Sequence, residues 1–547
     1  MNSDPLTIPD PAGPVDDDLV AFAAELVERS GVAVTAERRL HHDTGRRRAL
    51  SVHALLVGLI CLALDGRPLH LSAVTDLLHR RLSVSARTGL GVTGDVSTRP
   101  GFLARYRCVR YCFHALVSTA DPSDLPKNRR LSPAEFTART LRHDPTHTDA
   151  ARRRLEEMIN NLIEASLSTM TDLETVAAGG AVGLDATCIP LYSRGPSRRS
   201  DLSAADPDGG WYIRQGDHRD YDRPNSRHLT KIAWALEATI VTRAPAVPGT
   251  APTAPNLVLG LALARPGEDP GGIGVRVLAS AATRGHQTGP LGADRAYSAA
   301  LPQKFHLPAR ALGYTPVMDY RIDQLGIQGQ TAGAVLIEGT WHCPQTPAPL
   351  ITATIDWRAG TIDQPTYQAR IAARTPYRLK RTEGPDPDGY ERHRCPALTN
   401  HPQLACPLRP TSTNPRDGRP KILDPPTEPP RICTQTAVTI APDIGARHRQ
   451  DLPYGTETWA RTYATLRNTI EGFNGYAKDP AHENLAAPAR RRIRGIAAQS
   501  LLCALLLMAA NLRKLQAHRH MTTAGDTNRN ISRARRRRTS LADYRPT

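Results

Sequence analysis

The chain has 547 residues, of which 40% are hydrophobic and 22% charged. That is enough apolar material for packed cores, and it excludes disorder along the whole length. Nine cysteines in so long a chain exclude a small disulfide scaffold. The formal net charge of +17 favours a polyanionic partner, with nucleic acid before an anionic membrane.

Two segments bear on localisation. The first 18 residues are acidic, unlike the basic start of a signal peptide. The most apolar segment, 496–512, contains Gln499 and Ser500 and is shorter than the roughly 20 apolar residues that a membrane span needs. We therefore expect a buried helix there, no membrane association, and a soluble cytoplasmic protein with reduced cysteines.

The N-terminal region, residues 1–175, is predicted to be all-α and to serve DNA binding or dimerisation. Helical apolar spacing recurs, with Pro and Gly between the segments, over 15–29, 51–64, 70–81, 101–120 and 148–170. The short helix pair within residues 55–81 fits a helix-turn-helix that reads DNA. It fits equally well an ordinary pair of helices in a bundle.

The sequence pattern changes from helical spacing to strand-like runs near residue 178. Residues 176–325 are predicted to form a mixed α/β sheet flanked by helices. Strand patterns occur at 181–189, 231–241, 256–264, 290–294 and 314–320. A helix is expected over residues 297–307, so the order is three strands followed by strand, helix and strand.

Proline clusters mark residues 326–440 as a β-rich insertion with long loops, in which 334–338 and 350–357 read as strands. The α/β unit resumes over 441–520, with helices expected at 456–478 and 490–516. The chain ends in a basic tail, 521–547, for which disorder and phosphate contact are both open.

Positive charge is concentrated near the C-terminus. Residues 440–547 contain 19 Lys or Arg and 8 Asp or Glu, so this fifth of the chain carries +11 of the +17. Arg490, Arg491, Arg492 and Arg494 form one cluster that could contact phosphates through counterion release. A solvated basic surface is the alternative.

Two carboxylates interrupt apolar strand patterns. Asp185 follows Val-Gly-Leu in the middle of one predicted strand, and Asp294 ends another. Either one alone is more typical of a structural salt bridge than of a metal ligand.

A third carboxylate, Glu471, lies in the helix predicted over 456–478. On a helical wheel Arg467 lies about 40°, Lys478 about 20° and Tyr463 about 80° from it. One arc therefore presents a carboxylate beside two cations and a phenol, although an ordinary i,i+4 pair of Arg467 with Glu471 is the alternative. Gly472 and Gly475 weaken a helix and suggest the close approach of a neighbour.

Three carboxylates in this order favour phosphodiester chemistry with two hard divalent cations, since such ions take oxygen ligands. The chain resembles the bacterial insertion-sequence DDE transposases that carry a YREK signature. In that pattern Tyr, Arg, Glu and Lys are separated by two, three and six residues. Arg467, Glu471 and Lys478 match the spacing, and Tyr463 departs from it by one residue. The contexts of Asp185 and Asp294 are similar to those of the first and second family carboxylates.

The resemblance implies an RNase H-like catalytic fold whose β-rich insertion would occupy the residues between Asp294 and Glu471. It implies a DNA transposase that cleaves transposon ends and joins them to target DNA. Asp185, Asp294 and Glu471 would hold two Mg²⁺ ions, or Mn²⁺, while Tyr463, Arg467 and Lys478 contact DNA. A homodimer on paired DNA ends, associated with the nucleoid, is implied as well.

Two rival functions remain open. One is an RNase H-like nuclease that cuts DNA without strand transfer. The other is a non-catalytic DNA-binding protein, either a decayed or a repurposed transposase.

Two further groups carry alternatives of their own. Trp211, Arg214 and His218 fit base stacking and phosphate contact, or a polar surface hairpin. Four cysteines of the insertion could bind structural zinc, but their spacings are long and no Cys-x-x-Cys occurs, so core thiols are the alternative. These are Cys343, Cys395, Cys406 and Cys433.

Overall fold

A computed structural model describes most of the chain, namely residues 13–41, 48–127, 129–197, 199–214, 231–248, 254–414 and 418–523. The predictions for His218 and for the basic tail beyond residue 523 lie outside the described residues.

The N-terminal region is helical as predicted. Its helices are α1 Asp17–Ser30, α2 Val32–Leu40, α3 Val52–Leu64, α4 Leu71–Asp76, α5 Val84–Gly89, α6 Arg99–Ser118, α7 Pro133–Leu141, α8 Pro145–Leu167 and α9 Asp172–Val176. A π-helical turn, Leu77–Arg81, continues α4. The expected helix pair is thus present, but α3 is apolar on every side and is a core helix. DNA reading by this pair stays a prediction.

A six-stranded mixed sheet follows, which confirms the mixed α/β class. Its strands are β1 Val182–Pro190, β2 Gly210–Arg214, β3 Lys231–Arg243, β4 Val258–Ala264, β5 Pro290–Ala293 and β6 Thr315–Val317. The main path is β2-β3-β1-β5-β6, and β4 also pairs with β3. β1 is antiparallel to β3 and parallel to β5, and β5 is parallel to β6.

The helices of this unit differ from the prediction. They are α10 Pro270–Thr283, α11 Arg295–Ser298 and α12 His306–Ala311. α10 was missed because Pro-Gly-Gly-Ile-Gly reads as a loop, yet Asp269 caps its first turn by accepting from the Gly272 N–H. The single helix expected over 297–307 is wrong, since the chain turns at Pro302, which cannot continue a helix.

The insertion forms two separate three-stranded sheets. One contains β7 Ile327–Thr331, β8 Ala334–Ile337 and β9 Thr340–His342; the other contains β10 Lys380–Glu383, β11 Glu391–Arg394 and β12 Val438–Ile440. The two sheets share an apolar core that includes Leu336, Trp341 and Ile440. Among the described strands, those of the insertion pair with one another and not with the six-stranded sheet.

The insertion also contains helices, which the prediction underestimated. They are α13 Ala348–Ile351, α14 Ala353–Arg358, α15 Gln364–Arg374 and α16 Arg431–Thr434. The strand expected over 350–357 is therefore wrong. Ala353 and Trp357 are four residues apart and both face α15, where the Trp357 ring stacks on Tyr367 with centroids 4.6 Å apart. Packing on a neighbouring helix overrides the β-branched composition of this run.

Two long helices, α17 Glu457–Lys478 and α18 Ile496–Thr523, complete the described chain. α18 begins six residues later than predicted, because Gly495 adopts a φ of +94°. Its first turn is capped by two carboxylates: Asp206 accepts from the Gly495 N–H at 3.2 Å and Asp208 accepts from the Ile496 N–H at 2.9 Å. Asp206 and Asp208, which precede β2 in the sequence, therefore have a structural role.

α18 is the core helix that the sequence predicted. In the described chain it is the one helix long and apolar enough to cross a membrane, and 83% of its apolar window is buried inside the fold. Its Asn511 and Asn160 of α8 both hydrogen-bond to the backbone of β4, on Val258 and Leu261. The side-chain amides of these two asparagines thus hydrogen-bond to backbone N–H and carbonyl groups of β4 that would otherwise lack partners. Such burial is compatible with a soluble protein.

Candidate active site

Asp185 and Asp294 lie side by side on neighbouring parallel strands. The β1–β5 register pairs Gly183 with Gly292 and Leu184 with Ala293. The residue after Leu184 is Asp185 and the residue after Ala293 is Asp294, so the two carboxylates lie at the same level along the two strands. Adjacent strands are roughly 4.8 Å apart, and residues in register point to the same face. The two acids that were predicted to converge therefore share one face of the sheet.

A glycine pair lets α17 approach this face closely. A Cβ on Gly183 would lie 2.9 Å from both the Cβ of Ile470 and the carbonyl oxygen of Leu466. A Cβ on Gly292 would overlap the side chain of Leu466. The absence of side chains at these two positions is what allows the helix to pack against the strands beside the aspartates.

The same helix brings the third carboxylate and two further groups to the aspartates. The Arg467 guanidinium contacts Glu471 Oε1 through Nη2 at 2.5 Å and lies 3.6 Å from Asp294 Oδ1 through Nη1. Asn474 donates its Nδ2–H to Asp185 Oδ2 at 3.0 Å. α17 therefore connects to all three acids, and the i,i+4 pair that was the alternative for Glu471 is one part of this cluster.

Asn474 is a site residue that the sequence reasoning missed. It lies three residues after Glu471, about 60° away on the helical wheel, and it is buried. Its Oδ1 atom has no hydrogen-bond partner within the described residues. The available indication in the sequence was a polar residue on the arc of Glu471, next to apolar Phe473 and near Ala477.

The three acids differ in exposure and therefore in electrostatics. The Asp294 and Glu471 side chains are 47% and 54% exposed, whereas Asp185 is half-buried. Burial first, and then the charges of Asp294 and Glu471, raise the pKa of Asp185 to about 6, although Arg467 opposes the shift. A cluster of like charges held in this way is typical of functional sites rather than of a fold optimised for stability.

Arg467 supplies the opposing charge. Burial alone lowers the pKa of its guanidinium, but Asp294, Tyr463 and the other acids outweigh that effect and raise it. Arg467 therefore remains a cation between two carboxylates. It offsets part of the repulsion that would otherwise drive the acids apart.

The raised pKa of Asp185 predicts a pH-dependent stability. The folded chain holds this proton more tightly than the unfolded chain, whose pKa is near 3.8, so ionising Asp185 destabilises the fold. The stability contributed by this group should fall as the pH rises from about 4 to 6, and the loss should be complete above that. Asp185→Asn should flatten this dependence and stabilise the chain at pH 7.5 by up to about 3 kcal/mol.

Thermal unfolding between pH 4 and 8 measures this effect. Asp323→Asn, on an exposed turn, is the control and should leave the profile unchanged. A stability difference between Asp185→Asn and the parent that stays constant from pH 4 to 8 contradicts the electrostatic description of Asp185.

The residues present suit divalent cations, since three carboxylates and an amide oxygen are hard oxygen ligands. Within the described residues, no group of three or more His, Cys, Asp or Glu side chains is already closed around a common point. Arg467 stands between Asp294 and Glu471 and balances their charge. Metal binding therefore requires that side chain to turn from at least one acid.

Tyr463 and Lys478 flank the cluster along α17. The Tyr463 ring stacks on Trp459 with centroids 5.2 Å apart and lies close to Arg467. The helical register places Tyr463 near the sheet despite its one-residue departure from the family spacing. Lys478 lies in the last turn, seven residues and roughly 10 Å beyond Glu471, and is half-buried.

Gly472 and Gly475 do not have the neighbour that was inferred for them. A Cβ at either position would meet nothing within 4 Å among the described residues. Both glycines are exposed, so this part of α17 faces open space beside Glu471. The inference of a close neighbour within the chain was wrong.

Trp211, which was predicted to stack on bases, lies on the same face of the sheet as the two aspartates. Trp211 pairs with Trp234 across β2 and β3, and Asp185 pairs with Ile240. Residues 234 and 240 are an even number apart, so alternation places Trp211 and Asp185 on one face, roughly 20 Å from each other. Trp211 is 48% exposed and its ring is edge-on to Trp234. Arg214 ends β2.

The arginine cluster divides into internal and surface groups. Arg491 is 1% exposed and donates to the Leu485 carbonyl at 2.8 Å and to Gln499 at 3.1 Å. Its guanidinium serves the fold, which was not expected. Arg492 lies over the Tyr192 ring at 5.2 Å, and Arg494 donates to the Lys127 carbonyl at 3.1 Å. Both are exposed and remain accessible for phosphate contact.

Comparison of the chain with protein-family models, with curated proteins and with solved structures returns no match.

Proposed function

We propose that the protein is a DNA transposase that cleaves DNA at transposon ends and joins those ends to target DNA by a DDE mechanism. The observation that carries this proposal is the register of β1 and β5. It brings Asp185 and Asp294 together in front of the helix that bears Glu471. This order of acids, separated by an inserted unit, is the order expected from the family resemblance.

The sheet topology supports an RNase H-like assignment of the catalytic unit. β1, β3 and β4 run antiparallel in succession, and β5 and β6 then extend the other side of β1 in parallel. The acids lie on the central strand β1 and directly after its neighbour β5. The insertion separates β6 from α17, as the resemblance implies.

The chemistry follows from the residues at hand. Asp185, Asp294 and Glu471 would hold two Mg²⁺ ions, or Mn²⁺, which when bound activate a water or a 3′-hydroxyl and stabilise the leaving oxygen. Asn474 orients Asp185 through its amide N–H. Arg467, once turned from Glu471, and Lys478 would hold the phosphates beside the scissile bond.

The DNA path suggested by these groups runs over one face of the molecule. Glu471 borders the open space beside Gly472 and Gly475, which gives a phosphate backbone room to approach α17. Trp211 on the same sheet face could stack on an unpaired base. Arg492 and Arg494 add exposed positive charge, in line with the net charge of +17. We propose a homodimer on paired ends in the nucleoid-containing cytoplasm.

A strand-transfer assay tests the function. Purified chain with Mg²⁺ and labelled duplexes from both borders of the coding element should nick the border and join its 3′ end to a target plasmid. Cleaved but unjoined ends would indicate an RNase H-like nuclease without strand transfer. Border binding with no cleavage in Mg²⁺ or Mn²⁺ would indicate a decayed or repurposed DNA-binding protein.

A further inference from the structure

Three cysteines of the insertion begin identical turns. Cys343, Cys395 and Cys406 each precede a proline, and each carbonyl oxygen accepts an N–H from the residue three positions later. The donors are Thr346 at 3.1 Å, Leu398 at 2.9 Å and Arg409 at 2.9 Å. Each is a β-turn with Cys first and Pro second, where proline presets the backbone angle. The same type of turn therefore occurs at three of the four cysteines.

The three turns and one further cysteine converge on a single place. Cys343, Cys395, Cys406 and Cys433 all line one small cavity, whose other lining residues are Gln345, Arg409 and three apolar groups. All four are buried, and all four are free thiols. They come from four segments up to 90 residues apart in sequence, so the fold, not local spacing, gathers them.

The backbone around the sulfurs suits thiolates. The Gln345 N–H is directed at the Cys343 sulfur, and the N–H groups of Ala397 and Leu398 are directed at that of Cys395. Hydrogen bonds from the third and fourth residues of a turn stabilise a charged sulfur. Burial raises the pKa of Cys343 to about 12, so without a cation this thiol stays protonated.

The described part of the segment between β11 and β12 contains little regular secondary structure that could stabilise it. Between β11 and β12 the described residues form only isolated bridges, one 3₁₀ turn and the short α16. The apolar cluster there is small and is built around Cys343, Cys395 and Cys406. Long loops with a small core commonly depend on a cross-link.

We propose that Cys343, Cys395, Cys406 and Cys433 bind one structural Zn²⁺ ion that holds the loops of the insertion together. Four soft thiolates with no open position favour tetrahedral zinc over Mg²⁺ or Ca²⁺. The sulfurs line the cavity without being closed on a common point in the described chain, so the ion draws them inward as their protons leave. This proposal is independent of the transposase function.

Metal analysis of the purified full-length chain tests the site. Elemental analysis should find one zinc per chain, released when the thiols of the native protein are titrated with a mercurial reagent. Replacement by Co²⁺ should give the absorption of a tetrahedral thiolate complex. The mercurial titration needs no variant, so a folding defect cannot obscure the result.

Variants then assign the ligands. Cys395→Ser and Cys433→Ser should lose the zinc, while Cys406→His, which keeps a zinc ligand, should retain it with weaker affinity. Cys112→Ser and Cys503→Ser, at buried cysteines of α6 and α18, are matched controls that should keep one zinc. A zinc-free parent chain, iron in place of zinc, disulfides between these cysteines, or zinc unaffected by Cys395→Ser would each overturn the proposal.

Discussion

Glu471→Gln is expected to abolish Mg²⁺-dependent DNA cleavage while leaving DNA binding close to that of the parent chain. The substitution keeps the size of the side chain and removes its charge, so one metal ligand is weakened without a packing defect. Glu471 is 54% exposed, so the substitution leaves the packing of the fold intact. We expect the rate to fall roughly a thousandfold or more, or about 4 kcal/mol of barrier.

The control lies on the same helix. Glu457 is exposed in the first turn of α17 and pairs with Arg461, so Glu457→Gln should cleave as the parent does. Both variants should bind border DNA with the same salt dependence, because binding depends on phosphate contacts. If Glu471→Gln cleaves as fast as Glu457→Gln in Mg²⁺, Glu471 is a surface residue in a chance match to the family pattern.

Gly292→Ala is expected to impair both stability and activity. Its new methyl group would overlap the Leu466 side chain, and the neighbouring pairing of Gly183 with Ile470 leaves the helix no room to shift toward β1. Overpacking of this kind costs roughly 2 kcal/mol. Lifting α17 also moves Glu471 away from the aspartates, and a displacement of about 1 Å can cost a hundredfold in rate.

Gly472→Ala is the matched control on the helix itself. A Cβ there meets nothing within 4 Å, so the substitution should stabilise α17 by about 0.5–1 kcal/mol. Denaturant unfolding of both variants measures the contrast, and cleavage assays follow activity. Equal stability of Gly292→Ala and the parent would show that close contact of α17 with the sheet does not hold the site together.

Much of the fold could be predicted because the strong patterns are local. The continuous apolar runs of α3 and α18 and the β-branched runs of β1 and β3 determine those elements whatever surrounds them. Asp185 and Asp294 were also visible from the sequence, because a carboxylate in an apolar strand is costly to bury and stands out.

The rest depends on contacts between distant segments. The run 350–357 has strand composition and becomes helical because Trp357 stacks on Tyr367. In the sequence Arg491 resembles the exposed Arg492 and Arg494. It is internal because the fold places the Leu485 carbonyl and Gln499 where they can accept its hydrogen bonds. The four insertion cysteines lack a metal-binding spacing, because the fold, not the sequence interval, gathers them.

The central claim is that Asp185, Asp294 and Glu471 together hold two divalent cations. Crystals of the DNA-bound chain grown with Mn²⁺, and recorded at the manganese absorption edge, test it directly. We predict two anomalous peaks about 3.5–4 Å apart between these carboxylates, with at least one lost in Glu471→Gln. Peaks elsewhere on the molecule, or none beside Asp185 under conditions that support cleavage, would contradict the account.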